Sequence, residues 1–126
     1  MAKLDEMKKF YEQAEKSYDL ANHAQSDDAR LQWQLAGDIA CENGYRVYLE
    51  IKGEIAREKE KLVSRYDDMI YEAMLKGDSA AEKEYTETIN KISDEWGEED
   101  RKLYIESSAA ELTARRKRER TEKIYR

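Results

Sequence analysis

The stretch LQWQLAGDIACENGYRVYLEI, Leu31 to Ile51, decides how many helices this chain has. Leu31, Leu35 and Ile39 recur every four residues, which is a helical stripe. Asn43-Gly44 then interrupts it with a strong turn dipeptide. Past the turn signal, Tyr45, Val47, Leu49 and Ile51 alternate with Arg46, Tyr48, Glu50 and Lys52, and Gly44 and Gly53 bracket the run. That alternation is a strand pattern. Three readings stay open: one helix of about 50 residues, roughly 75 Å long; two helices broken near Gly44; or a strand over 45–52. The helical readings are favoured, because a lone strand has no partner elsewhere in the chain, short of pairing across a dimer.

The segments on either side read more simply. From about Ala2 to Gln25, Leu4, Met7, Tyr11, Ala14, Tyr18 and Ala21 follow spacings of three and four, an a/d seam on a first helix. Ser26-Asp27-Asp28 reads as the next helix start, since Ser or Asp accepts from free backbone N–H groups. The short connection makes the two helices antiparallel neighbours. Gly37, Ala40, Cys41 and Gly44 form a small-residue face, read as a close crossing with the first helix.

Farther on, Tyr48, Ile51, Ile55, Leu62, Tyr66, Met69 and Ala73 make a second stripe, with Glu58 interrupting it. Gly77 after Lys76 reads as a helix stop, and Ser79-Ala80-Ala81-Glu82 as a capping box. Ala81, Tyr85, Ile89, Ile92 and Trp96 share a face, and Gly97 is expected to close that helix. Glu98, Glu99 and Asp100 then read as the start of a last helix, with Ile105, Ala109 and Leu112 as its apolar stripe. Ile124 and Tyr125 are the next apolar residues after Ala114. The expected fold is therefore all-α, with helical hairpins forming a four- or five-helix bundle or an elongated coiled-coil-like assembly. No fixed-period repeat is present.

Composition limits the core. Nine Leu, eight Ile, two Val and one Phe are few among 126 residues, although nine Tyr, two Trp and four Met add apolar area. Such a thin supply predicts that some apolar surface is covered by a second chain, through self-association or a partner. Tyr and Trp are favoured at interfaces. Trp33 and Tyr71 fall off the stripes of their own helix, so they are the candidate contact residues.

Charge is unevenly placed. Residues 115–126 hold seven Lys/Arg and two Glu, a balance of +5, against −11 for residues 1–114, within a net charge of −6. An acidic helical body, 1–114, thus carries a basic helical arm, 115–126, in the same domain. Arg115, Arg116, Lys117, Arg118 and Arg120 at the arm's centre admit three readings: a solvated helix end, a clamp on another chain's acidic body, or sequence-blind nucleic-acid binding. The body's Glu54, Glu58 and Asp67 suggest an acidic strip that imitates phosphates in a basic groove. Interlaced Arg57, Lys59, Lys61 and Arg65 favour a plain solvated face instead.

Chemistry is harder to find. Lone Cys41 cannot form an internal disulfide and has no evident base beside it. His23 is the only histidine, and the two Glu-x-x-His motifs of a helical di-iron site are missing. No glycine-rich phosphate loop, metal-spaced Cys/His set or membrane-length apolar run occurs, and the first residues show no signal-peptide core. The expectation is a non-enzymatic, cytoplasmic protein (host cytoplasm if viral) without cofactor, metal or membrane. It is expected to bind another protein as an inhibitor or regulator, in keeping with the small acidic helical products of phages and mobile elements. A nucleic-acid-associated protein using the basic arm, or a structural assembly component, are the alternatives.

Overall fold

The computed structural model describes the backbone of residues 2–125 and the side chains of residues 3–120. The described residues form three α-helices: α1 (Ala2–Asn22), α2 (Asp27–Lys76) and α3 (Ser79–Tyr125). No strand occurs among the described residues. Contacts divide the chain into two units, one of Met1–Ile51 with Tyr104–Arg126 and one of Lys52–Leu103. The first is a three-helix unit and the second a helical hairpin.

The expected count of four or five helices is corrected to three, because neither Gly44 nor Gly97 breaks its helix. A single glycine costs about 1 kcal/mol relative to alanine inside a helix, which many propagating backbone bonds outweigh. The strand reading of 45–52 also falls. Val47 and Tyr48 are both buried, together with Gly44. Adjacent residues 100° apart share a helix face, whereas on a strand they would point to opposite sides.

Helix ends follow local chemistry. Helix α1 stops at Asn22 rather than Gln25, with three-residue bonds from His23 N to Leu20 O and Ala24 N to Ala21 O closing its last turn. Ser26 caps α2 as expected, its Oγ accepting from Ala29 N at 3.2 Å. Gly77 adopts φ +70°, the left-handed region. Asp78 N bonds to Ala73 O at 2.9 Å and Gly77 N to Met74 O at 3.1 Å, a Schellman closure. The expected Ser79–Glu82 capping box gives way to a single N-cap one residue earlier. Asp78, not Ser79, accepts from Ala81 N at 3.1 Å, and its position straight after the Gly77 turn makes it the cap.

In the three-helix unit the α1 seam is buried as its spacing predicts: Met7, Tyr11, Ala14, Tyr18 and Ala21 are nearly inaccessible. Its counterpart on α2 is the small-residue face. Gly44 lies under the Tyr11 ring, and Gly37 under the Tyr18 ring. Both pairs repeat after seven residues, in opposite chain directions, which is antiparallel heptad packing. On α3 the inner face of this unit carries Ser107 and Ala114. The expected core stripes are corrected accordingly. Leu31, Leu35 and Ile39 on α2 are 53, 60 and 49% exposed, and Ile105, Ala109 and Leu112 on α3 face outward too. Two large rings, Tyr11 and Tyr18, on the one small-residue face of α2 fill the space that the α2 aliphatics were expected to occupy.

In the hairpin unit the stripes hold. Ile55, Leu62, Tyr66 and Met69 are half-buried and Ala73 buried, as are half of each of Ala81, Tyr85, Ile89, Ile92 and Trp96. Tyr66 meets Tyr85 edge to face at 6.4 Å between centroids. The gap in the α2 stripe is filled by Lys59, whose Nζ sits 5.5 Å from the Trp96 ring centroid. Glu58 is exposed.

Candidate functional site

Three helices meet at one polar node in the three-helix unit. Tyr18 belongs to the α1 seam, and a buried tyrosine needs a partner for its hydroxyl. It donates to Asp38 Oδ1 at 2.5 Å. Asp38 sits one residue beyond Gly37, the glycine under the same ring. From α3, Arg118 donates through Nε to Oδ1 at 2.8 Å and through a terminal nitrogen to Oδ2 at 3.2 Å. This is a forked arginine–carboxylate pair, more directional than a lysine contact.

Electrostatics follow from the geometry. Desolvation is the largest influence on Asp38 and works upward, but Arg118 and the Tyr18 hydroxyl together outweigh it and hold the carboxyl below its ordinary pKa. Burial first, then the Asp38 bond, pushes the Tyr18 phenol far above its ordinary value. Cys41 Sγ lies 3.8 Å from the Tyr18 hydroxyl, and burial first raises its pKa. Its thiol stays protonated at neutral pH, the opposite of an activated nucleophile. Beside the node opens a cleft of about 520 Å³, lined among others by Tyr45, Glu42, Glu111 and Arg115. Lining charges of both signs give it no clear preference for anion or cation.

The basic arm begins inside this unit. Lys117 Nζ donates to Asp19 Oδ2 at 2.8 Å and lies 3.6 Å from Glu15 Oε1. The Asp19 bond, against a smaller desolvation cost, raises the Lys117 pKa. Arg115 pairs with Glu111 at 2.6 Å on its own helix. Lys117 and Arg118 therefore clamp acidic residues of the same chain. Arg116 and Arg120 are exposed. Ile124 and Tyr125 lie outside the residues whose side chains are described.

The remaining sequence candidates do not form one site. Trp33, 41% exposed, belongs to the three-helix unit, whereas Tyr71, 62% exposed, belongs to the hairpin unit. Glu54, Glu58 and Asp67 are all exposed. Glu54 and Glu58 share one side of α2, but nine residues separate Glu58 from Asp67. At about 100° per residue that places Asp67 on the opposite side, so the three do not line one strip. His23 is exposed and its Nδ1–H donates to Asp19 O at 2.8 Å, which caps the end of α1. No group of three His, Cys, Asp or Glu side chains suited to a metal occurs among the described residues.

Two features escaped the sequence reading. One is the Tyr18–Asp38–Arg118 node. Its only signal was a tyrosine in a core register, which demands a polar partner without naming it. The other is the outward stripe of Leu31, Leu35, Ile39 and Leu49, which the sequence displays but whose direction depends on where the rings pack. No protein-family model, curated protein or solved structure matches this chain.

Proposed function

We propose that this protein is a non-enzymatic helical binding module, an inhibitor or regulator that docks on another protein through the apolar end of α2. The observation that carries the reading is the exposure of Tyr71, Met74 and Leu75, at 62, 57 and 70%. Tyr71 and Leu75 are four residues apart, one turn above the other. They stand on the side of α2 away from the half-buried Tyr66 and Met69. Asp67, one turn before Tyr71, adds a carboxylate to the same face. Side chains of this size, gathered at the end of a helix and rimmed by charge, resemble the centre of a recognition surface more than scattered surface apolars.

A nucleic-acid role draws less support, because Lys117 and Arg118 are spent on Asp19, Glu15 and Asp38. No helix among the described residues is long and apolar enough to cross a membrane. The proposal places its action in the cytoplasm.

The test compares capture of binding proteins by the intact chain and by the double variant Tyr71→Ser/Leu75→Ser, with circular dichroism to show equal helix content. A protein recovered by the wild type and depleted at least about tenfold by the variant supports the reading. Equal recovery by both contradicts it.

A further inference from the structure

From residue 104 to residue 120, α3 buries no large apolar side chain. Tyr104, Ile105 and Leu112 are the large apolar residues of that stretch, and they are 60, 57 and 50% exposed. Its buried side chains are Ser107 and Ala114, which carry little apolar area. Beyond Ala114 the inward positions pass to Lys117 and Arg118, both half-buried. Neighbours on a helix diverge by about 100°, and these two divide between the other helices. Lys117 Nζ reaches Asp19 Oδ2 of α1 at 2.8 Å and Glu15 Oε1 at 3.6 Å. Arg118 forks onto Asp38 of α2 at 2.8 and 3.2 Å.

What lies beneath is packed differently. Ala114 joins Ala14 and Tyr18 of α1 and Ala40 of α2 in one buried cluster, with Cys41 packed against it. Cys41 also lines the cleft beside Arg115 and Arg118. The grip of α1 on α2 does not pass through α3, since Tyr11 rests on Gly44 and Tyr18 on Gly37. The end of α3 is thus fastened mainly by charge onto a pair of helices fastened by packing. Segments with few buried apolar contacts are the ones that open locally. The side chains of the Lys117 and Arg118 pairs are between 28 and 49% exposed, so dissolved ions reach them. The range of their attraction shrinks from about 30 Å at 0.01 M salt to about 3 Å at 1 M.

We propose that residues 113–120 of α3 form an electrostatic latch, closed over Ala14, Tyr18, Ala40 and Cys41 by Lys117 and Arg118 and opened by salt while α1 and α2 stay packed. The latch belongs to the three-helix unit, and it stands whether or not Tyr71, Met74 and Leu75 bind a partner.

Hydrogen-exchange mass spectrometry of the full chain at about 0.01 and 1 M sodium chloride tests it, alongside alkylation of Cys41 by iodoacetamide, an uncharged reagent that salt does not steer. Amides of 113–120 should be protected at low salt and exchange at least about fivefold faster at high salt. Cys41 should alkylate faster by a similar factor, while amides of 11–18 and 37–44 keep their protection. Lys117→Ala/Arg118→Ala should be open already at low salt and lose the salt response. Arg116→Ala/Arg120→Ala removes as much charge from the same helix end and should behave as wild type. Circular dichroism checks helix content, and the wild-type salt series decides the matter without any variant. Exchange over 113–120 that is unprotected at low salt, or indifferent to salt, overturns the proposal. So does acceleration of 11–18 and 37–44 in step with 113–120, which is global unfolding, or an equal effect of the two double variants.

Discussion

The Tyr18 ring lies across Gly37 so closely that a Cβ at that glycine would stand 2.7 Å from ring carbon Cδ1. The Tyr18 hydroxyl is tied to Asp38 at 2.5 Å, so the ring cannot swing aside without breaking that bond. Tyr11 repeats the arrangement over Gly44, with ring carbons 2.9 Å from the would-be Cβ. These two tyrosine-on-glycine contacts hold α1 on α2 and set the register of the three-helix unit.

Replacing Gly37 with alanine should therefore destabilise the protein, although alanine is the better helix former. The overlap costs about 1–3 kcal/mol, more than the roughly 1 kcal/mol gained from propensity. Gly97 supplies the contrast. It lies inside α3 with nothing within 4 Å of a would-be Cβ, so Gly97→Ala should stabilise by about 0.5–1 kcal/mol. Urea titrations of the two variants should shift in opposite directions. A stabilising Gly37→Ala would show that the Tyr18 ring does not sit there.

Much of this was legible beforehand, for local reasons. The α1 seam, the Ser26 cap and the Gly77 stop depend on neighbours a few residues away, so sequence displays them directly. Gly44 and Gly97 were misleading because a glycine's local meaning is a break, whereas Gly44 serves a ring twenty or more residues distant. The small-residue face of Gly37, Ala40, Cys41 and Gly44 was recognised as a close crossing. The same logic should have turned Leu31, Leu35 and Ile39 outward. A helix that offers its small side to the core must offer its large side to something else.

The node predicts an acid-side pH dependence. Asp38 titrates below its ordinary value in the folded protein, so the folded state binds its proton more weakly than the unfolded chain does. Its contribution is present above about pH 4 and is lost as pH falls through the lower, folded value. Asp38 and Arg118 keep 39 and 34% of their side chains exposed, and solvent screening holds the effect to about 0.5–1 kcal/mol. Asp38→Asn should lower stability by that amount at pH 7. The gap between variant and wild type should narrow as pH falls through that lower folded value, read by denaturant midpoints across the acid range. A gap independent of pH would mean that the loss is one of packing.

On the alkaline side the sign reverses. Burial raises the phenols of Tyr11 and Tyr18, so their neutral forms favour the fold at and below pH 10. Stability should fall as pH climbs beyond that point toward the higher folded values. Ultraviolet titration of the native protein should show at least two of the nine tyrosines silent until the helical signal is lost. Ionisation of all nine near pH 10 with helix content intact would contradict the burial.

Removal of residues 115–126 should do more than strip charge. Lys117 and Arg118 hold Asp19 and Asp38, so truncation frees two carboxylates and should lower the melting temperature by several degrees. Arg116→Glu and Arg120→Glu, at exposed positions, should leave it within about a degree. Any nucleic-acid binding lost on truncation must then be judged against these point variants. Differential scanning calorimetry of the three proteins separates the cases.

In the three-helix unit, tyrosines and small residues fill the inside while Leu31, Leu35, Ile39 and Leu49 of α2 stay outside. Hydroxyl-radical footprinting of the dilute full chain reads this arrangement, because oxidation reports side-chain access residue by residue. Tyr11 and Tyr18 should be protected at least about tenfold relative to Leu35, Ile39, Tyr71 and Leu75. Protection of Leu35 and Ile39 equal to that of Tyr18 would contradict the account.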